Sequence, residues 1–224
     1  MVDSRIAAFQ NLMKWTGSLE ADNNRRGLED LIKIVLRPVQ AIHMREALLR
    51  PQHQGPQALH WTDALGGLWD GDAGYGTWAA FLLKDCRRPV DARSTVRLAS
   101  DMVIPTMWSE SSILNNLGAI GHGRVNGEFK QDGGHSVTLM RPLNIAWVNS
   151  GNHSITQGIL DGAGELVPDD VYDVSEIIKA VVFDGECWVC RRTGARMGSP
   201  TYAEFGWAWE IARSLISLPG EATR

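Results

Sequence analysis

The segment 144–160 constrains the fold of this chain more than any other part of the sequence. Its first half, Asn144 to Val148, is an apolar run of strand length, and Gly151 then breaks the strand pattern. The residues from His153 to Leu160 can form a short helix. Another run of strand character, Ser136 to Met140, lies just before this segment. The sequence therefore predicts a small sheet in which a strand leads through a tight glycine turn into a helix.

Residues 1–100 follow a different pattern, because their apolar side chains recur at i, i+3, i+4 and i+7. This spacing is typical of an amphipathic helix and is formed by Leu28, Leu31, Ile32, Val35, Leu36 and Val39. Pro38 is expected to kink or restart that helix. A glycine-rich loop over 70–76 and a helix over 77–84 are expected next. We expect an α+β protein with a helical region over 1–100 and an α+β domain over 101–224, or one continuous domain.

Local signals predict further elements in the second half of the chain. Ser109 can cap a helix that ends near Gly118, and Asp173 with Glu176 resembles a capping box for a helix over 174–180. Residues 180–197 are typical of a hairpin around an Asp-Gly turn. Pro200, Thr201 and Glu204 are expected to open a C-terminal helix with one apolar side.

Composition limits the classes of function. The chain has 224 residues with a net charge of −4, so a global basic field for wrapping nucleic acid is absent. Nine tryptophans indicate a tryptophan-rich core. Cys187 and Cys190 form a CxxC, but no second pair completes a zinc site, and we expect structural thiols. No apolar run reaches the roughly 18 residues of a membrane span. No signal-peptide pattern opens the sequence, so we expect a cytoplasmic protein.

The turn at Gly151 to Ser154 is a candidate phosphate site. The first N–H groups of a helix have no internal partner and carry the positive end of its dipole. Gly151 allows close approach of a ligand, and Asn152, His153 and Ser154 add side-chain donors. The alternative is that Gly151 only makes a turn and that Asn152 merely caps a helix.

The same residues carry a family resemblance. Gly151-Asn152-His153-Ser154, a short apolar helix and then Gly164-Glu165-Leu166-Val167-Pro168 resemble the signature of the ParB/sulfiredoxin superfamily. That signature is a G-x-H-R or G-x-R-R turn that opens a helix, followed by a glycine and a "VP" strand. The resemblance covers residues 136–171. It implies a small mixed sheet with helices, and nucleotide phosphates bound at the turn, by Gly151 to Ile155.

Departures from the family pattern limit the activities that the resemblance implies. Sulfiredoxin needs a catalytic cysteine where this chain has Asn152, so sulfiredoxin chemistry is excluded. The family arginine is Ser154 here, and Arg141 is the candidate that would supply the lost charge. No helix-turn-helix of the ParB partition proteins is recognisable. The remaining relatives are plasmid proteins that block conjugation, namely the oncogenic-suppression protein and fertility-inhibition factors. This branch implies ATPase and DNase activity.

Histidines and acids near the turn are candidates for chemistry. His153 and His135 could each act as an acid or base, and Glu128 is a third catalytic candidate. Glu128 and Asp132 share a loop and could hold Mg²⁺, with a nucleotide supplying the other ligands. Solvated loop acids and a capping histidine are the alternatives. The spacing of His122, His135 and His153 matches no standard metal motif.

Three arginines, Arg191, Arg192 and Arg196, are the densest basic cluster in the second half of the chain. They could contact the phosphates of DNA, although a solvated hairpin tip explains them equally well.

Three functions are compatible with these observations. The first is a plasmid-encoded nucleotidase and DNase that blocks conjugative transfer of DNA. The second is a non-catalytic module that binds a nucleotide or a protein and blocks a coupling protein or relaxosome component. The third is a histidine-dependent nuclease or toxin of unrelated fold.

Overall fold

A computed structural model of the chain describes residues 4–50, 54–69 and 82–219. The loop expected over 70–76 lies outside the described residues, as does most of the helix expected over 77–84. The described α-helices are α1 (Ser4–Ala21), α2 (Arg25–Leu49), α3 (Trp61–Leu65), α4 (Glu110–Asn116), α5 (Asn152–Asp161), α6 (Ser175–Ala180) and α7 (Ala203–Ser217). Short 3-10 turns cover Gly66–Trp69 and Ala92–Ser94, and a π-helical turn covers Leu82–Cys86. The molecule is therefore a mixed α+β protein with a helical N-terminal part.

A five-stranded mixed sheet forms the centre of the fold. The strands are β1 (Arg87–Arg88), β2 (Val96–Arg97), β3 (Met102–Ile104), β4 (Ser136–Arg141), β5 (Ile145–Ser150), β6 (Glu165–Leu166), β7 (Asp170–Asp173), β8 (Val181–Phe183) and β9 (Trp188–Cys190). The main sheet has the order β1-β7-β4-β5-β3. The pairs β1–β7 and β4–β5 are antiparallel, and β3–β5 and β4–β7 are parallel. Two small antiparallel ladders, β2–β6 and β8–β9, flank it.

One face of the sheet is covered by the long helices. Phe205 and Trp209 of α7 pack with Leu28 and Ile32 of α2 and with Trp147 of β5 in one large buried cluster. The indole nitrogen of Trp209 donates to the carbonyl of Val181, so a buried polar atom is satisfied. The predicted tryptophan-rich core is confirmed on this face.

The other face has a smaller core. Val137 of β4, Val148 of β5 and Val171 of β7 pack there with Ile155 of α5 and with Phe129 from the loop before β4. This face places α5 directly beside the end of β5, because only Gly151 separates the two elements.

The first hundred residues do not form a separate core. Leu36 and Val39 of α2 share the large cluster with Ile104 of β3 and with Ala208 and Ala212 of α7. A division near residue 100 would cut through this cluster.

Most local expectations are confirmed, with three corrections. Ser109 caps α4 by accepting a hydrogen bond from the Ser112 N–H, and the hairpin is formed by β8 and β9. Pro38 does not restart α2, which continues to Leu49. The helix expected from residue 174 begins at Ser175, where Asp173 accepts from the Ser175 N–H, without a capping box. The C-terminal helix begins at Ala203 rather than at Pro200.

None of the helices in the described ranges is both long enough and apolar enough to cross a membrane.

Candidate functional site

The turn between β5 and α5 is built as the sequence predicts. Gly151 has φ +83° and ψ 19°, a left-handed conformation that L side chains rarely adopt. The first intrahelical bond runs from the Ile155 N–H to the Gly151 carbonyl, at 3.0 Å. The N–H groups of Asn152, His153 and Ser154 therefore have no partner within the helix. A Cβ at residue 151 would lie 2.5 Å from Cδ2 of His135, so the contact as well as the backbone angle requires glycine.

A chain of three polar side chains meets at this turn. Nε2 of His135 lies 2.7 Å from Oγ of Ser154, on the first turn of α5. Nδ1 of the same ring lies 2.8 Å from Oδ1 of Asp132. The His135 side chain is only 6% exposed, whereas that of Asp132 is 72% exposed. A hydroxyl, an imidazole and a carboxylate thus lie next to one another, and the hydrogen bond that Nδ1 accepts comes from the Asp132 backbone N–H, at 3.0 Å.

The loop that carries His135 is fixed at several points. The ring of Phe129 is buried and meets the His135 ring edge to face, with centroids 5.1 Å apart. The side-chain amide of Gln131 donates to the Val167 carbonyl at 2.9 Å and accepts from the Val167 N–H at 2.7 Å. Ser150 Oγ donates to the Gly134 carbonyl at 2.6 Å. These bonds tie the loop to β5 and β6 and hold His135 beside α5.

Asn152 and His153 are occupied by neighbours within the protein. Asn152 is buried, and its Oδ1 accepts a hydrogen bond from the Thr106 N–H at 2.7 Å. Nε2 of His153 accepts from the Ser109 N–H at 3.3 Å, and burial lowers the pKa of His153 below its ordinary value. A neutral His153 with Nε2 as acceptor carries its proton on Nδ1. That Nδ1–H remains to donate to a ligand.

Two of the predicted nucleotide contacts are not brought to the turn. The Ile155 side chain is fully buried in the smaller core, and its N–H is used inside α5. Arg141 stands at the far end of β4, since Ser136 is the residue that pairs with Ser150. At about 3.3 Å per residue, this places Arg141 roughly 16 Å away along the strand. Its guanidinium instead lies 3.2 Å from Ser94 Oγ and 3.5 Å from Asp91 Oδ1.

The two acids proposed for Mg²⁺ have different partners. Oε1 of Glu128 lies 3.3 Å from Nδ1 of His122, on the exposed surface. Oδ1 of Asp132 accepts from the Gly134 N–H at 2.7 Å and faces His135. Within the part of the chain that the structure describes, no three His, Cys, Asp or Glu residues are grouped to hold a metal ion. A Mg²⁺ ion held by Glu128 and Asp132 together with a nucleotide stays a prediction.

The arginines proposed to contact DNA differ in their surroundings. Arg196 is held by two carboxylates, Asp184 Oδ2 at 2.6 Å and Glu186 Oε2 at 3.1 Å. Arg191 and Arg192 are exposed just after β9. Two acidic partners neutralise the positive charge of Arg196, so a basic surface here depends on the other two arginines.

The cysteines form neither a disulfide nor a thiol site. Cys86, Cys187 and Cys190 are free and buried. Burial raises the pKa of the Cys86 thiol to about 11, which keeps it protonated and unreactive. The expectation of structural thiols agrees with these positions.

The sequence interpretation missed the link from Ser154 through His135 to Asp132. The signal that could have revealed it is the β4–β5 hairpin register. Because Ser136 pairs with Ser150, the residues just outside that pair, His135 and Gly151, must be neighbours.

The sequence is similar to a protein family over most of its length. No curated protein and no solved structure matches the sequence. One family model matches residues 3–221, almost the entire length, and it is described as a family of unknown function, DUF6710. The chain therefore belongs to the DUF6710 family.

Proposed function

We propose that this protein is a hydrolase that binds the phosphates of a nucleotide such as ATP at the β5–α5 turn and cleaves a phosphate ester or anhydride there. One observation supports this most. The His135 imidazole, a side chain of the type that most often serves as acid or base in catalysis, lies 2.7 Å from Ser154 on the first turn of α5. The same turn presents the N–H groups that suit an anion.

The surrounding side chains have distinct roles in the proposal. His135 acts as the acid or base, and the Nδ1–H of His153 donates to a phosphate oxygen. Mg²⁺ would arrive with the nucleotide, held mainly by phosphate oxygens. The same proposal includes a ParB/sulfiredoxin-like fold. It is supported by the order of elements, in which β5 leads through the glycine turn into α5 and then into β6.

Release of phosphate from ATP in the presence of Mg²⁺ tests the proposal. We expect His135→Ala to lower turnover by about 10²–10⁴-fold, as is typical when an acid or base is lost. His153→Ala should raise KM more than it lowers kcat, because its proposed role is to bind phosphate. No turnover and no ATP binding at millimolar concentration in the folded wild-type protein would refute it. Loss of activity in His122→Ala as well would instead favour the histidine-dependent nuclease.

A role in blocking conjugative DNA transfer, in the cytoplasm, extends the proposal. It is supported by the resemblance of the turn and by two exposed arginines, Arg191 and Arg192. Two exposed arginines can make about two phosphate contacts, so the slope of log affinity against log salt for duplex DNA should be near −2. Arg191→Gln with Arg192→Gln should flatten this slope, while Arg196→Gln alone should leave it unchanged. An equal effect of Arg196→Gln would show that its acidic partners do not neutralise it.

The binding-only module is the second candidate, and one observation favours it. The side chains of Asn152 and His153 both accept hydrogen bonds from the backbone between β3 and α4. Nucleotide binding without turnover would identify this function. A pull-down with a conjugation coupling protein or a relaxosome component would then identify the partner.

A further inference from the structure

The hydrogen bonds of His135 allow two arrangements of its ring protons. With the proton on Nε2, the ring donates to Ser154 Oγ, and Nδ1 accepts from the Asp132 N–H at 3.0 Å. Ser154 Oγ can then donate to the Gly151 carbonyl at 3.1 Å. With the proton on Nδ1, the ring faces Asp132 Oδ1 at 2.8 Å, Nε2 accepts the proton of Ser154, and the Asp132 N–H gives up its bond to the ring. The first arrangement keeps all of these hydrogen bonds, and only the second can activate a serine.

The position of Ser154 suits a nucleophile. Its hydroxyl is half-buried on the first turn of α5, while its base is almost fully shielded from water. Shielding strengthens the hydrogen bond between them, because the local dielectric constant is lower than in water. The dipole of α5 favours negative charge at this end, so it would stabilise the serine oxygen as it loses its proton.

We propose that Ser154 is the nucleophile of this site and that it takes the phosphoryl group as a phosphoserine intermediate, with His135 as general base and Asp132 as the residue that orients the ring. This inference rests on the proposed hydrolysis of a phosphate ester or anhydride. It goes further by naming a covalent step and the atom that performs it.

The step balances without a further reactant. Ser154 Oγ attacks phosphorus and passes its proton to Nε2 of His135, and the new Oγ–P bond forms as the bond from phosphorus to the leaving oxygen breaks. The imidazolium returns its proton to that leaving oxygen. Water then attacks phosphorus and gives a proton to His135, the Oγ–P bond breaks, and Ser154 Oγ recovers the proton while phosphate departs. No oxidant or reductant takes part.

A fluorophosphonate probe tests the nucleophile directly. It reacts with an activated serine by forming an Oγ–P bond and releasing fluoride, so it requires neither ATP nor a metal ion. We expect intact-mass measurement to show one adduct and peptide mapping to place it on Ser154. Ser154→Ala should abolish labelling. Ser100→Ala is the matched control, since Ser100 is exposed and its Oγ contacts Asp101 rather than His135, and it should label like the wild type.

The supporting variants separate activation from folding. His135→Ala should slow labelling by about 10²–10⁴-fold. Added imidazole should restore part of the labelling rate, which a merely structural role would not allow. Asp132→Asn should slow labelling by about fivefold at most, because its carboxylate is mostly exposed. Absence of an adduct on wild-type Ser154, or an adduct that persists in Ser154→Ala, overturns the inference, and the mapping on wild type decides even if that variant does not fold.

The two proposals can fail separately. Labelling of Ser154 without any ATP turnover would keep the nucleophile and refute the nucleotide as substrate; p-nitrophenyl phosphate and p-nitrophenyl acetate would then distinguish a phosphate ester from a carboxylic ester. Cleavage of the acetate alone would overturn the phosphoryl step. ATP turnover that persists in Ser154→Ala would refute the covalent step and leave the proposed function standing.

Discussion

The two faces of the main sheet are covered in different ways. The face under α2 and α7 is sealed by large fully buried side chains, among them Trp147, Trp209 and Phe205. The other face has α5, Phe129 and a small set of valines, and the polar chain that ends at Ser154 lies at its edge. The first face provides most of the buried apolar area, so it should dominate stability. The second face can therefore hold polar groups beside a thin core, which is where chemistry is expected.

The substitution with the largest expected effect on this comparison is Trp209→Ala. It removes a fully buried indole and its hydrogen bond to Val181, and we expect the free energy of unfolding to fall by about 3–5 kcal/mol. Trp108→Ala is the control, because Trp108 is 59% exposed and its loss should cost less than about 0.5 kcal/mol. Urea denaturation of both variants gives the measurement. Equal losses would contradict the comparison.

Acidification should weaken the helical face. His43 is buried between Thr106 and Tyr202, and burial lowers its pKa to about 4. The folded protein favours the neutral ring of His43. The contribution of His43 to the free energy of unfolding is therefore present above the unfolded pKa of about 6.5 and is lost as the pH falls through about 4. Between pH 7 and about pH 4.5 the loss from His43 should be about 2.5 kcal/mol.

His43→Gln is the matched variant, since glutamine can bond to the same two hydroxyls and does not titrate. Urea denaturation at the two pH values should show a smaller decline in the variant than in the wild type. The same decline in both proteins would assign the acid sensitivity to other groups, among them His153, whose pKa is also lowered by burial.

At the site itself, substitutions at two glycines distinguish the cost of backbone strain from the effect of a steric contact with His135. Gly151→Ala should cost about 1–2 kcal/mol for its left-handed backbone and should also push the His135 ring away from Ser154. Gly162, at the other end of α5, has φ +69° and nothing within 4 Å of an added Cβ. Gly162→Ala should therefore cost a similar backbone penalty and keep ATP turnover, while Gly151→Ala loses it. Thermal melting and phosphate release measure the two effects, and full turnover in Gly151→Ala would mean that the His135 contact is dispensable.

The comparison also shows what the sequence could reveal. Strands β4 and β5 and helix α5 were predictable because their apolar runs and the glycine between them are local signals. Arg141 was misplaced because closeness in sequence was taken for closeness in space, whereas a strand of six residues separates it from the turn. The bond from Thr106 to Asn152 spans 46 positions and has no local signature. Distant contacts of this kind are decided by how elements pack, which a single sequence does not display.

The side-chain amide of Gln131 pairs with the backbone of Val167 as one residue of a neighbouring β-strand would. It donates to and accepts from the backbone of Val167, as a neighbouring peptide group would in a ladder. Val167 is itself 53% exposed, and an exposed amide just past β6 would ordinarily exchange its hydrogen with water quickly. Here that amide is occupied, so its exchange rate measures how often the loop bearing Asp132 and His135 lifts from the protein. A single backbone amide thus reports on the integrity of the site without a ligand or a label.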